Sequence, residues 1–159
     1  MLASWDPMCR FGAERKEVAV PVMALHHVDL AVEDVERSIA FYTGLLGPLG
    51  VEVTDRFPTY RGTEEVAYLT IGEQALGFRK ADGGAHRYYD VGIEHFAIRV
   101  DTREELDEAF QRCLELGAKV HFPPEEDRDI PGYWAFFVFD PDGFRLEITW
   151  WPGEHKVTS

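Results

Sequence analysis

Three side chains in this sequence have the types and spacing to do chemistry together: His27, His95 and Glu147. Residues two apart on a strand share a face. Over residues 25–32 the chain alternates, setting His27, Asp29 and Ala31 against Val28, Leu30 and Val32. Residues 93–100 repeat the pattern, with His95, Ala97 and Arg99 opposed to Phe96, Ile98 and Val100. In 144–150, Arg145, Glu147 and Thr149 oppose Phe144, Leu146 and Ile148. If the apolar parity packs on helices, the polar parity lines a concavity, and two imidazoles and a carboxylate converge there. Such a set can hold one divalent metal ion (Fe2+, Mn2+, Zn2+, Ni2+ or Co2+) on one side and leave positions for water, substrate or dioxygen. A carboxylate on a concave apolar face is costly unless paired, hydrogen-bonded or metal-bound. The structural alternative is that Glu147 pairs with Arg99 or Arg145 and both histidines are ordinary half-buried residues.

Other residues offer supporting roles. Tyr133 and Trp134 enter the penultimate strand on opposite parities, so one faces the cavity; Tyr133 there is a candidate catalytic donor of a hydrogen bond or proton. Arg79 and Arg99, like Arg145, share the cavity parity and are candidates to grip an anionic substrate, with pairing to Asp29 or Glu147 as the alternative. The acidic stretch 123–131 reads as a solvated connection or a lid. In Asp140-Pro141-Asp142-Gly143, proline and glycine fix a tight turn, and both aspartates are expected to be solvated and without a catalytic role. His26, His86, His121 and His155 fall on the wrong face or outside the core strands.

The elements that position these residues form a repeat. The first strand is followed by an amphipathic helix capped by Asp34, carrying Val35, Ile39, Tyr42 and Leu46 and ending at Gly47 in a left-handed cap. Strands are expected near 51–57, 66–71 and 74–79, giving β-α-β-β-β. The order restarts at 93–100, with a Thr102-x-x-Glu105 capping box ahead of Leu106, Phe110, Cys113 and Gly117. Strands near 119–122, 133–139 and 144–150 complete it. His27 and His95 lie 68 residues apart, and Gly77 and Glu147 lie 70 apart at equivalent places. The fold class expected is α+β, two tandem βαβββ modules forming a cupped mixed sheet with helices outside. Module one spans 23–81 and module two 91–151, within a domain of 23–151. Residues 1–22 are a tail or a mis-called start before Met23, and 152–159 a C-terminal tail.

Composition excludes other classes. The chain has 159 residues, 45% hydrophobic and 13% aromatic, enough for one ordinary core. Its net charge of −13, from 16 Lys and Arg against 29 Asp and Glu, repels phosphate backbones, so neither nucleic acid nor an anionic membrane is an expected partner. No apolar run suits a membrane span, and Cys9 and Cys113 suggest neither disulfide nor zinc site. The expectation is a cytoplasmic protein with a small-molecule substrate, its cup closed within one chain or in a homodimer.

The motifs His27-Val-Asp-Leu-Ala-Val32, Ser38-Ile-Ala-Phe-Tyr42 before Leu45-Leu46-Gly47, Glu94-His95-Phe96-Ala97 and Phe139-Asp-Pro-Asp-Gly-Phe-Arg-Leu-Glu147 resemble the vicinal oxygen chelate superfamily. That group includes glyoxalase I, extradiol dioxygenases, fosfomycin-resistance thiol transferases and bleomycin-resistance proteins. The resemblance implies paired βαβββ modules around a metal, and His27, His95 and Glu147 match the ligand positions. It implies an enzyme acting on a small oxygen-rich substrate that chelates the metal, with a dioxygenase-like His/His/Glu set. A glyoxalase I-like lyase or isomerase, a thiol transferase and a non-catalytic drug-binding protein are the alternatives. Glyoxalase I-like members carry a fourth ligand, Glu, where this chain has Gly77. Extradiol enzymes carry an additional histidine before the Asp-Pro turn, absent from residues 130–139, where Tyr133 is the only phenol. Fosfomycin transferases carry Thr two residues after the first ligand, where this chain has Asp29.

Overall fold

A computed structural model describes residues 25–58, 65–84 and 86–153. Within them the order is β1 (His27–Val32), α1 (Val35–Leu46), β2 (Glu52–Pro58), β3 (Glu65–Ile71), β4 (Gln74–Lys80), β5 (Phe96–Arg99), α2 (Arg103–Glu115), β6 (Lys119–Glu126), β7 (Trp134–Phe139) and β8 (Arg145–Trp150). The strands form two mixed sheets, ordered β1-β4-β3-β2 and β5-β8-β7-β6. The pairs β1/β4 and β5/β8 are parallel and the rest antiparallel. This is the α+β, twice-repeated βαβββ arrangement the alternation predicts. Cys9 and His155 lie outside the described residues.

The apolar parity packs inward as expected. Leu30, Val32, Ile98, Val100, Leu146 and Ile148 are buried, and with Tyr42, Phe78, Leu106 and Phe136 they belong to one core reaching both sheets and both helices. Fully burying such a side chain contributes about 1.5–3 kcal/mol, so a one-residue slip of β8 would cost several of these at once. That fixes which side chains face the concavity. Asp29 lies opposite Gly77, and Gly77 opposite Tyr68, in the first sheet. In the second, Ala97 lies opposite Glu147, and Glu147 opposite Phe137.

Helix ends show what capping chemistry decides. Asp34 accepts from the Arg37 N–H at 3.1 Å, and Thr102 and Glu105 form the expected reciprocal box. The left-handed cap expected at Gly47 is not there. Gly47 is right-handed (φ −55°) and begins a 3-10 turn, Gly47–Leu49, in which Pro48 supplies a preset φ; the left-handed glycine is Gly50 (φ 86°).

Three further expectations change. The strand expected over 93–100 pairs only from Phe96 to Arg99, so His95 stands just before it. The stretch expected as a loop over 123–131 is strand as far as Glu126, because β6 is an edge strand, where prolines are tolerated, and its register shifts absorb Pro123 and Pro124. The aspartates of the Asp140–Gly143 turn are not solvated. Asp140 is 6% exposed and accepts from the Tyr42 hydroxyl at 2.9 Å. Asp142 accepts from the Glu33 N–H at 2.6 Å and from the Ser38 hydroxyl at 3.1 Å. Both therefore tie the second module to α1. Between the helices, Arg112 Nε donates to the Leu45 carbonyl at 2.8 Å.

Candidate metal centre

Strand β8 builds the second module's half of the site. Arg145, Glu147 and Thr149 are at most 9% exposed although two of them are charged. Such burial demands partners, and Glu147 has two. His95 Nε2 lies 3.1 Å from Oε2, and the Tyr133 hydroxyl donates to Oε1 at 2.5 Å. Tyr133 is thus the member of its pair that faces the cavity, while Trp134 packs under the Arg103 guanidinium, 4.3 Å from its ring centroid. Burial, aided by the Glu147 hydrogen bond, pushes the Tyr133 phenol up to about 12, so it keeps its proton at neutral pH.

The other face of the His95 ring is held as well. Nδ1 meets one oxygen of Glu94, whose other oxygen takes Arg145 Nη1. The His95 hydrogen bond first, then Tyr88 and Arg145, holds the Glu94 carboxyl below the ordinary carboxylate range against a smaller desolvation effect. The Arg145 guanidinium lies 4.0 Å from the Phe137 ring centroid and 5.2 Å from that of Tyr88. Sequence reasoning missed Glu94. The available signal was a charged residue on the parity of Phe96 and Ile98, which strand alternation would have sent into the core.

The donor chemistry fits a cation. An ionised Glu94 only accepts, so Nδ1 carries hydrogen and the neutral ring presents its Nε2 lone pair. Nε2 and Glu147 Oε2 are then two acceptors 3.1 Å apart, a pair that a shared cation would stabilise. Two ligands with bonds of about 2.0–2.2 Å to one ion come to such a spacing.

The first module carries a separate cluster. His27 stands exposed at the start of β1, its Nδ1 2.9 Å from that of His26 and its ring edge-on to Tyr68 at 5.8 Å. Arg79 donates to Asp29 Oδ2 through Nε at 2.7 Å and Nη2 at 2.5 Å, and the Tyr68 hydroxyl reaches the same oxygen at 3.4 Å. Arg99 is exposed beside Thr149. It borders a groove of about 760 Å³ between the modules, whose walls include Val28, Leu76, Phe96 and Ile98. The structure therefore brings together His95, Glu147 and Tyr133, with Glu94 and Arg145, and leaves His27 and Arg79 on the other sheet. Among the described residues no group of three or more His, Cys, Asp or Glu side chains lies close enough to hold a metal ion. Also among them, no helix is long and apolar enough to cross a membrane.

Of the remaining histidines, His86 stacks on Phe144 at 4.3 Å, and His121 sits among Tyr88, Phe122 and Phe139.

Known proteins are similar to this chain in sequence and in fold. The chain is 34% identical over 131 residues to the lactoylglutathione lyase of Salmonella typhimurium, covering 79% of this chain and 91% of that protein. It is 25% identical over 122 residues to the catechol-2,3-dioxygenase of Bacillus subtilis, covering 77% of this chain and 39% of that protein. A glyoxylase/bleomycin resistance protein/dioxygenase domain from Frankia sp. EAN1pec superposes with a TM-score of 0.68 at 25% identity, over 81% of this chain and 98% of that one. The family model of the Glyoxalase/Bleomycin resistance protein/Dioxygenase superfamily matches residues 24–148, nearly the whole span of both modules, and the chain belongs to that superfamily.

Proposed function

We propose that the protein is a divalent-metal-dependent enzyme with a His27, His95, Glu147 ligand set, acting on a small oxygen-rich substrate that chelates the ion through two adjacent oxygens. The observation that carries this reading is Glu147: a 4% exposed carboxylate with an imidazole nitrogen at 3.1 Å. When bound, the ion supplies Lewis-acid polarisation of the chelated oxygens and, as Fe2+, an open position for dioxygen. Tyr133 fixes one oxygen of Glu147 and keeps the other turned to His95. Its single proton, retained at neutral pH, is held by Glu147 in this structure and turns to a substrate oxygen only as that bond is released. Arg99, which borders the groove, takes an anionic substituent at its rim, while Arg79 would do so only in exchange for its Asp29 partner.

His27 reaches this set from a second copy of the chain. β1 and β5 are each the outer strand of their sheet, and an open strand edge invites pairing. His27 begins β1 and His95 immediately precedes β5, so a parallel joining of one copy's β1 edge to the other's β5 edge would bring the two histidines to one end of the joint.

A second reading, a glyoxalase I-like lyase or isomerase, is favoured by the 34% identity to lactoylglutathione lyase. Moving a proton between neighbouring carbons needs a base, and Gly77 supplies no carboxylate on β4. The dioxygenase-like set is therefore the preferred one, and thiol transfer ranks below both.

Elemental analysis of protein purified anaerobically without chelator tests the reading, with Glu147→Ala prepared alongside. Near-stoichiometric iron lost in the variant is the expected result and directs substrate screening to catechols. Manganese, zinc or nickel, lost likewise, directs it to isomerisation and thiol addition. No metal in the wild type after reconstitution overturns the metal reading in favour of a drug-binding cup.

A further inference from the structure

We propose that Glu94, anchored by Arg145, is a positioning residue for the metal centre: it fixes the His95 ring so that Nε2 faces Glu147. The inference rests on the metal reading only for its consequence on affinity; the brace itself stands on the geometry of this chain.

Two carboxylates bracket one imidazole. Glu147 faces Nε2 at 3.1 Å, and Glu94 meets Nδ1 on the opposite side of the ring. A histidine just outside its strand lacks a ladder to orient it, since β5 begins at Phe96. Something else must set its ring, and Glu94 is the neighbouring group that accepts from Nδ1. Glu94 would be a loose clamp by itself, because its side chain is 38% exposed. Arg145 removes that freedom. Its side chain is 10% exposed, it donates to the other Glu94 oxygen, and it is sandwiched against Phe137 and Tyr88. Because Arg145 and Glu147 are two apart on β8, one rigid strand carries both the candidate ligand and the anchor of the brace on the other ligand. A partner that donates no hydrogen to the metal-facing nitrogen and accepts from the other fixes both ring orientation and tautomer.

The test uses the full chain and Glu94→Ala, Glu94→Gln and wild type. Affinity for Zn2+ and Mn2+ is measured against an indicator chelator, and the Nδ1 proton of His95 is followed by NMR in metal-free protein. Expected are a loss of about 10–100-fold in metal affinity in Glu94→Ala, partial recovery in Glu94→Gln, and disappearance of the downfield Nδ1 proton in the alanine variant. Unchanged melting of the metal-free variants separates positioning from folding, as the site of substitution is partly exposed. Wild-type affinity in Glu94→Ala overturns the proposal. If the wild type binds no metal, the functional reading fails, and the Nδ1 proton alone decides the brace: its loss in Glu94→Ala supports it and its persistence overturns it.

Discussion

Asp29 occupies the space that a side chain at position 77 would need. A Cβ built on Gly77 would stand 2.7 Å from Tyr68 Cε1 and closer still to Asp29 Oδ1, so glycine is required by close approach and not by backbone angle. The carboxylate lies flat over β4, where Oδ1 is buried without a hydrogen-bond partner and Oδ2 takes Arg79. Gly77→Ala forces Asp29 and Tyr68 aside and breaks the Arg79 pair. Overpacking of this kind costs about 1–3 kcal/mol, readable as a lower urea midpoint at unchanged slope. Because the tighter of the two clashes is with the Asp29 side chain, Asp29→Gly in the same chain relieves that part and leaves the Tyr68 contact, so the two substitutions are non-additive. Additive losses in the double-mutant cycle would show that Gly77 serves some other purpose. The equivalence of Gly77 and Glu147 was legible from the repeat spacing alone. The occupation of that space by Asp29 was not, because alternation reports the face a side chain takes and not which neighbour fills the space beside it.

The Asp140–Gly143 turn does more than reverse the chain between β7 and β8. Asp140 Oδ1 accepts the N–H groups of Asp142 and Phe144 at 2.9 and 2.8 Å, and Oδ2 accepts the Tyr42 hydroxyl. Burial outweighs these bonds and holds the Asp140 carboxyl above its ordinary 3.8. The folded chain therefore keeps the Asp140 proton to higher pH than the unfolded chain. Its stabilising contribution is complete below the unfolded value and is lost as pH rises through the folded one. Asparagine is nearly isosteric and does not titrate. Urea unfolding of wild type and Asp140→Asn from about pH 3 to about pH 7 should show the wild type losing stability relative to the variant as pH rises; a relative gain would contradict the assignment. At this scale the sequence was legible wherever period and capping decide, as in α1, α2 and their N-caps. It was silent where a contact joins residues about a hundred positions apart, as Asp142 and Ser38 do. The left-handed cap moved from Gly47 to Gly50 for a related reason: Pro48 continues the turn that a glycine alone would have ended.

The two modules of one chain pack through α1 and α2 and through the Asp142 tie to α1, and this back-to-back joint leaves β1 and β5 as outer strands. His27 and the His95–Glu147 pair stand on separate sheets, and under the proposal above the ligand set closes across two copies. That arrangement predicts complementation. His27→Ala removes a ligand from one side of the joint and Glu147→Ala from the other, so each variant alone has both sites damaged. In a mixed dimer, the Glu147→Ala chain lends its intact His27 to the intact His95 and Glu147 of its partner, restoring one site, while both lesions gather in the other. Random reassortment of equal amounts makes about half the dimers mixed, so about a quarter of wild-type metal capacity should return after co-refolding, and none when either variant is refolded alone. A cup closed within one chain would carry a lesion in every site whatever the mixture, and co-refolding would then restore nothing.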